Sequence, residues 1–496
     1  MQKKHPRTQP ETFAAQRRSL HHLVYTGVLL VAVLTGSNTE VTQAADSWTQ
    51  FRGHNGNGHA IGSKPLPADV GPDKHVVWKS TIPPGHSSPA VHGDRIFLTG
   101  VNEESLVTVG LDRATGEVRW TRVARHDGKE SIHRVGSYAQ SSPVTDGERV
   151  VSFFGSAGLF CYDRNGKDLW SLRLGPFKNG FGAGSSPIIV DDRVILSQDH
   201  DTDSFLLALD KRTGEQLWKK DRSIFPRGYS TPIIWTVAGK PQIVVAGTLQ
   251  ATGYDFETGD EIWNVRGLAR IVNTTPVIGE GMLFIATWSP GADSGERIQP
   301  KSFDEVARDQ DANKNGSLES GEIQDEAIKA RFNQLDRDKN DRITRAECDY
   351  MKNIFETARN AVIAIKPGGK GDVTESHVAW SYERNVPYVP SPLYHAGHIY
   401  MVKDGGIATC LDAKTGERKK QIRLSSRDNY YSSPVYGDGK IYAVSQRGRL
   451  SVLSAQQDLE EVATADFGED AYATPAIVDG RIYLRTAERL YCLGKD

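Results

Sequence analysis

Cysteine is scarce in this sequence: 496 residues contain four, none adjacent to another and none at Cys-x-x-Cys spacing. Thiolate metal sites of that spacing are therefore excluded. The fourteen histidines include no His-x-x-x-His pair, and no nucleophile–base constellation stands out. Charge of one sign is lacking too. The net charge is −2; residues 1–45 carry +3 and residues 303–350 carry −5, so the rest is near neutral. That balance argues against a nucleic-acid partner.

Long apolar runs are also missing. The run 23–34 has twelve residues, too few to span a bilayer. Arg17 and Arg18 precede it, and the small residues Thr42, Ala44 and Ala45 follow. This is the layout of a signal peptide cleaved near Ala44 or Ala45. No cysteine follows the run, so no lipid anchor is expected. Residues 1–45 are read as that peptide, and the mature protein as exported (periplasmic or extracellular) without a membrane span. About 450 residues remain, ample for a core.

What the sequence does have is one phrase, repeated eight times: Ser-Ser-Pro, an apolar strand, then Leu-Asp-x-x-Thr-Gly-Glu-x-x-Trp in its fullest form. Its anchors are Pro89, Pro143, Pro187, Pro232, Pro276, Pro392, Pro434 and Pro475, spaced by 54, 44, 45, 44, 116, 42 and 41 residues. A period of roughly 40–45 residues built from short strands predicts four-stranded blades arranged radially. The expected fold is all-β, an eight-bladed β-propeller over residues 76–496. The residue before a proline is driven toward extended backbone, which suits an inner strand. Asp112, Asp210, Asp255 and Asp412 cap turns in which Gly116, Gly214, Gly259 and Gly416 supply positive φ. Trp120, Trp170, Trp218, Trp263 and Trp380 fall on the last strand, where an indole packs between neighbouring blades.

The eighth copy ends near Leu493 without a fourth strand, while an orphan strand ending at Trp78 precedes the first. Pairing the two would remove two exposed edges. Cys161, Cys410 and Cys492 share one repeat slot, filled elsewhere by Gly110, Ala208 and Gly253. The slot calls for a small buried side chain, and these blades are not neighbours. A disulfide needs Cα atoms about 4.4–6.8 Å apart, so free thiols are expected. Residues 46–75, with the glycine-rich stretch 48–58, are read as an irregular strap over the propeller surface.

The 116-residue gap marks an insertion in blade five, placed at residues 299–358, between its second and third strands. Two twelve-residue loops lie inside it. The first offers Asp311, Asn313, Asn315, Ser317, Glu319 and Glu322; the second offers Asp336, Asp338, Asn340, Arg342 (through its carbonyl), Thr344 and Glu347. Oxygen ligands at this spacing fit calcium, with Leu318 and Ile343 at the apolar eighth position. The segment resembles a small α-helical EF-hand pair, although Asp341 stands where the second loop would have glycine. Turns of an up-and-down blade alternate faces. The insertion therefore shares a face with the residues just before each anchor: His86, Gln140, Tyr229, Asn273, Tyr431 and Tyr472 are the candidate ligand residues at the channel mouth. His133, Arg134, Arg270 and Arg427 lie in the same class of loop.

The sets Asp112-Thr115-Gly116-Trp120, Asp210-Thr213-Gly214-Trp218 and Asp255-Thr258-Gly259-Trp263 resemble the tryptophan-docking repeat of propellers related to pyrroloquinoline quinone (PQQ) enzymes. The resemblance covers residues 76–496 apart from the insertion. Gln50-Phe51-Arg52-Gly53 is similar to exported PQQ-like propellers common in planctomycete-type bacteria. That superfamily includes quinoprotein alcohol dehydrogenases and the assembly protein BamB, and the resemblance implies fold rather than chemistry. A quinoprotein dehydrogenase would stack PQQ on an adjacent cysteine pair, and a BamB role would use a lipid-anchor cysteine; the sequence has neither. The reading is an exported binding or scaffold propeller with a calcium-binding module, its partner an unidentified protein or polysaccharide. The alternatives are a PQQ-dependent dehydrogenase, or an envelope polysaccharide or peptide binder using Tyr229, Tyr431 and Tyr472.

Overall fold

The computed structural model describes residues 47–495 except 61, 63, 202, 294–298, 330 and 339. The expected signal peptide lies outside the described residues. Eight antiparallel sheets of four core strands form the blades of a propeller. Blade five consists of Val277–Gly279, Met282–Thr287, Ala361–Ile365 and Val378–Tyr382. Blade eight joins Ala476–Val478, Arg481–Arg485 and Arg489–Leu493 to the N-terminal strand Val76–Thr81, with Trp78 opposite Cys492. The orphan strand thus closes the ring.

The residue before each proline builds the hub. The Ser88 N–H donates to Ser142 Oγ, Ser142 to Ser186 and Ser186 to Thr231 Oγ1. A second run of bonds leads from Thr275 to Ser391, Ser433, Thr474 and back to Ser88. Every link is 2.9–3.0 Å. The inner-strand N–H groups of seven blades are thereby satisfied by the neighbouring blade rather than their own.

The outer strands are fastened by tryptophan. Trp78, Trp120, Trp170 and Trp380 donate Nε1–H to the carbonyls of Arg113, Arg164, Lys211 and Ala413. Each acceptor lies in the turn of the next blade. A Cβ at Gly116 would sit 2.4 Å from the Trp78 ring, and φ there is 74°. Glycine is thus needed twice over, for backbone conformation and for the indole. Trp263 departs from the expected pattern. It bonds Gln242 Oε1 within its own blade and meets Trp235 edge-on, because blade five carries Gly371–Asp372 as an added parallel strand against it. All four cysteines are free. The shared slot faces the last strand: Gly110 pairs with Trp120, Cys161 with Trp170 and Cys492 with Trp78.

The strap does not lie over the outer surface. Ser47–Trp48 pairs with the inner strand of blade one, and Thr145 N–H donates to Thr49 O. Asn55 exchanges two hydrogen bonds with Ile234 of blade four. Arg52 is fully buried and donates to the Gly56, Ser391 and Pro392 carbonyls, and Tyr436 N–H donates to Gly58 O. Buried backbone must find hydrogen-bond partners, and the inner-strand edges around the hub supply them. The segment therefore crosses the central channel.

Candidate functional site

The connections leading into the inner strands converge on the other end of that channel, and every blade contributes. His86, Gln140, Gly184, Tyr229, Asn273, Val389, Tyr431 and Tyr472, in blade order, line one cavity of about 190 Å³. Phe51 of the strap lines it as well, so the cavity is a blind cup rather than a pore. All six candidate residues at the mouth belong to it. His133, Arg134 and Arg427 do not: all three are exposed, and the His133 ring lies 5.3 Å from Phe181. Sequence reasoning missed Phe51, Phe181 and Tyr388. Only Gly184 carried a signal for crowding here, since a Cβ there would lie 2.8 Å from the Tyr229 ring.

The amides of the cup are committed to its walls. Gln140 Nε2 donates to Phe181 O at 2.8 Å and Asn273 Nδ2 to Tyr388 O at 3.1 Å. Tyr229 Oη donates to Asn179 Oδ1, and Gln446 Nε2 donates to Tyr472 Oη. His86 stacks on Tyr472 with centroids 3.9 Å apart, and Tyr431 stands 5.3 Å from Tyr472. The open surface is thus largely aromatic faces.

The cup is also uncharged. Among the described residues its lining contains no lysine, arginine, aspartate or glutamate. Burial, then the nearby Arg485 guanidinium, pushes His86 down to about 4, so the ring is neutral at pH 7. Burial raises the Tyr229 phenol, which stays protonated. Arg485 itself lies buried in the wall and staples blade eight to blade one. Its guanidinium donates to the Ser87, Thr99 and Pro83 carbonyls and to Ser87 Oγ.

The insertion stands beside this mouth. Helices Phe303–Gln310 and Arg345–Thr357 frame it, each opened by a capping box, at Ser302–Glu305 and Thr344–Glu347. The stretch between the loops, continuous in its apolar pattern, forms two short helices, Glu326–Lys329 and Phe332–Leu335. Ser317–Glu319 pairs with Arg342–Thr344, setting Leu318 opposite Ile343. In the second loop Asp336 accepts the Asn340 and Asp341 N–H groups, and Glu347 accepts those of Arg337 and Thr344. Asp336, Asp338 and Glu347 each bring a carboxylate oxygen within 4.8 Å of the others. Asp341 takes φ 60°, the left-handed backbone that aspartate tolerates. In the first loop Asp311 accepts from Asn315 and Gly316 N–H, Glu322 from Asn313 and Glu319 N–H, and Ser317 Oγ donates to Asn315. Arg342 contributes no side chain inward; its guanidinium reaches Glu319 at 3.5 Å. Tyr350 Oη and Arg337 donate to the Ile224 and Ser223 carbonyls, seating the module on the connection from blade three to four.

A family described as outer membrane protein assembly factor BamB matches residues 70–199, 136–292 and 349–496. The chain belongs to this family. BamB from Moraxella catarrhalis aligns at 13% identity, covering 84% of this chain and 100% of that one with a TM-score of 0.53. The computationally designed Ika8 protein aligns at 10% identity, 85% and 100% coverage and TM-score 0.53. A europium-containing methanol dehydrogenase aligns at 9% identity, 92% and 99% coverage and TM-score 0.50. Likeness at these identities establishes the PQQ-like propeller shared by BamB and quinoprotein dehydrogenases, and nothing chemical. No curated protein matches the sequence. The BamB family profile skips most of the insertion, which is therefore an addition to the shared propeller. No helix among the described residues is long and apolar enough to cross a membrane.

Proposed function

We propose that this BamB-family propeller is an exported binding platform whose cup receives an uncharged segment of a protein or polysaccharide partner. One observation carries the reading: a blind cavity to which all eight blades contribute, walled by His86, Tyr229, Tyr431 and Tyr472 and free of charged lining residues. Neutral ligands with flat apolar faces lose little on entering such a site, and aromatic planes receive them. The same lining does not fit PQQ, whose carboxylates would be desolvated without a cation; no redox step is derived for this chain. The insertion is read as a calcium-binding EF-hand module. Asp336, Asp338, Asn340, Thr344 and Glu347, with the Arg342 carbonyl, would hold the ion in the second loop. Asp311, Asn313, Asn315, Ser317, Glu319 and Glu322 would do so in the first. Calcium there would tie the helices to the loops and stiffen the rim of the cup.

The test is a titration of the full exported protein with neutral and charged hexasaccharides and with uncharged peptides, read by calorimetry. Binding of a neutral ligand that weakens at least tenfold in Tyr472→Ala and Tyr431→Ala supports the reading. Dye-linked alcohol oxidation after mixing with PQQ and calcium would overturn it. Calcium addition is expected to raise the melting temperature by several degrees, Asp336→Ala with Glu347→Gln to shrink the rise, and the further changes Asp311→Ala and Glu322→Gln to abolish it.

A further inference from the structure

A second cavity of about 520 Å³ opens between the insertion and the propeller mouth. The module supplies an apolar wall: Val306, Ile328, Leu335, Met351 and Phe355. The propeller supplies the opposite wall, where Phe181 and Tyr388 also belong to the channel cup. Apolar side chains lining a concave cleft mark a place where something apolar is received.

The charges around the cleft are unevenly matched. Arg227 is paired with Asp201 at 2.8 Å, and Lys301 with Asp325 at 3.4 Å. Arg270 and Arg331 line the same cleft, and neither forms an ion pair with a carboxylate among the described residues. Arg270 reaches only the Pro290 carbonyl, at 3.4 Å, and lies 5.0 Å over the Phe355 ring. Burial lowers its pKa and the Arg331 and Arg227 charges lower it further, so an anion placed here would relieve both effects. Guanidinium groups bind carboxylate and phosphate in a two-pronged geometry.

We infer that the cleft binds a single-chain amphiphile with an anionic head: the acyl chain lies against Ile328, Leu335, Met351 and Phe355, and the head sits with Arg270 and Arg331. The chemistry is common to a free fatty acid and to the acyl and phosphate groups of a lysophospholipid. The site differs from the cup in ligand class and, apart from the shared Phe181 and Tyr388, in residues, so it stands whether or not the cup takes a neutral polymer.

The test uses the full protein in calcium-containing buffer, with laurate, decanoate, dodecanol and a lauroyl lysophosphatidylglycerol below their micellar concentrations. Binding is read by calorimetry. Laurate or the lysophospholipid should bind at least tenfold more tightly than dodecanol, and laurate roughly tenfold more tightly than decanoate. Whichever of the two anions binds more tightly identifies the source of the head group. The pair Arg270→Gln and Arg331→Gln should erase the preference for the anion while dodecanol binding persists. Ile328→Trp should block every ligand while leaving the melting temperature within a few degrees. Neither anion binding more tightly than dodecanol, or unchanged binding in Ile328→Trp, would overturn the inference.

Discussion

His200 is buried between Phe177 and Phe205, and neither ring nitrogen has a hydrogen-bond partner among the described residues. Burial pushes its pKa down to about 4, against the pull of Asp203 and Asp201. Between about 4 and the unfolded value near 6.5, the unfolded chain binds a proton that the folded ring refuses. Stability is therefore complete above pH 6.5 and is lost as pH falls. Between pH 7 and 5 the loss is on the order of 2 kcal/mol for this residue. His59 and His86, also held down to about 4, act with the same sign. Urea titrations should show the midpoint falling on acidification, and His200→Leu should make that fall visibly shallower without lowering stability at pH 7. None of this was legible in the sequence, where the histidines are scattered and nothing distinguishes His200 from an exposed one. The turn residues were legible: Asp112 Oδ1 accepts the Ala114 and Thr115 N–H groups, because carboxylate and glycine act through their immediate neighbours. The hydroxyls of the hub were half legible. The proline beside them announced an inner strand, but that Ser142 and Thr474 would bond the next blade depends on ring curvature that one repeat does not encode.

At the scale of the strand, the tryptophans fasten the outer edges of neighbouring blades. Trp120 is 7% exposed, packs against Phe97 and Tyr162, and donates to Arg164 O in the following turn. Trp120→Ala should cost about 3–5 kcal/mol, from lost burial and the cavity left behind, measurable in equilibrium urea unfolding. The repeat placed Trp120, Trp170 and Trp380 correctly because an indole recurs at the same point of the last strand in several copies. It placed Trp263 as well, on a last strand and packed against blade five, but not the indole's partner, because residues of blade five return to pair with that strand and Nε1–H turns to Gln242. Loops without a repeat hid the rest. Phe181 and Tyr388 enter both cavities from connections of irregular length.

Across the whole molecule, the path of residues 47–60 was the main surprise. Glycines and aromatics at 48–58 suggested an external strap, yet Trp48 is 1% exposed and Arg52 fully buried. Gly56 and Gly58 fit where a Cβ would meet Thr275 or the Arg52 guanidinium. Glycine here served close approach to the hub, which composition alone does not distinguish from a loose surface turn. The closure was foreseeable, because a three-stranded eighth copy and an orphan strand each leave unpaired backbone. Removing residues 47–81 should uncover the edge at Arg489–Leu493 and open the channel floor together. Size-exclusion chromatography should then show self-association, and thermal melts a large drop in stability.

The joining of Val76–Thr81 to Arg489–Leu493 has a temporal corollary. A strand made before any other core strand of the blades must wait, unpartnered, for one about 400 residues later. Seven sectors can assemble in succession, but the circle is sealed by its most distant neighbours, a slow step of high contact order. A circularly permuted gene opened between blades two and three would shift that final weld elsewhere and shorten the wait for Trp78.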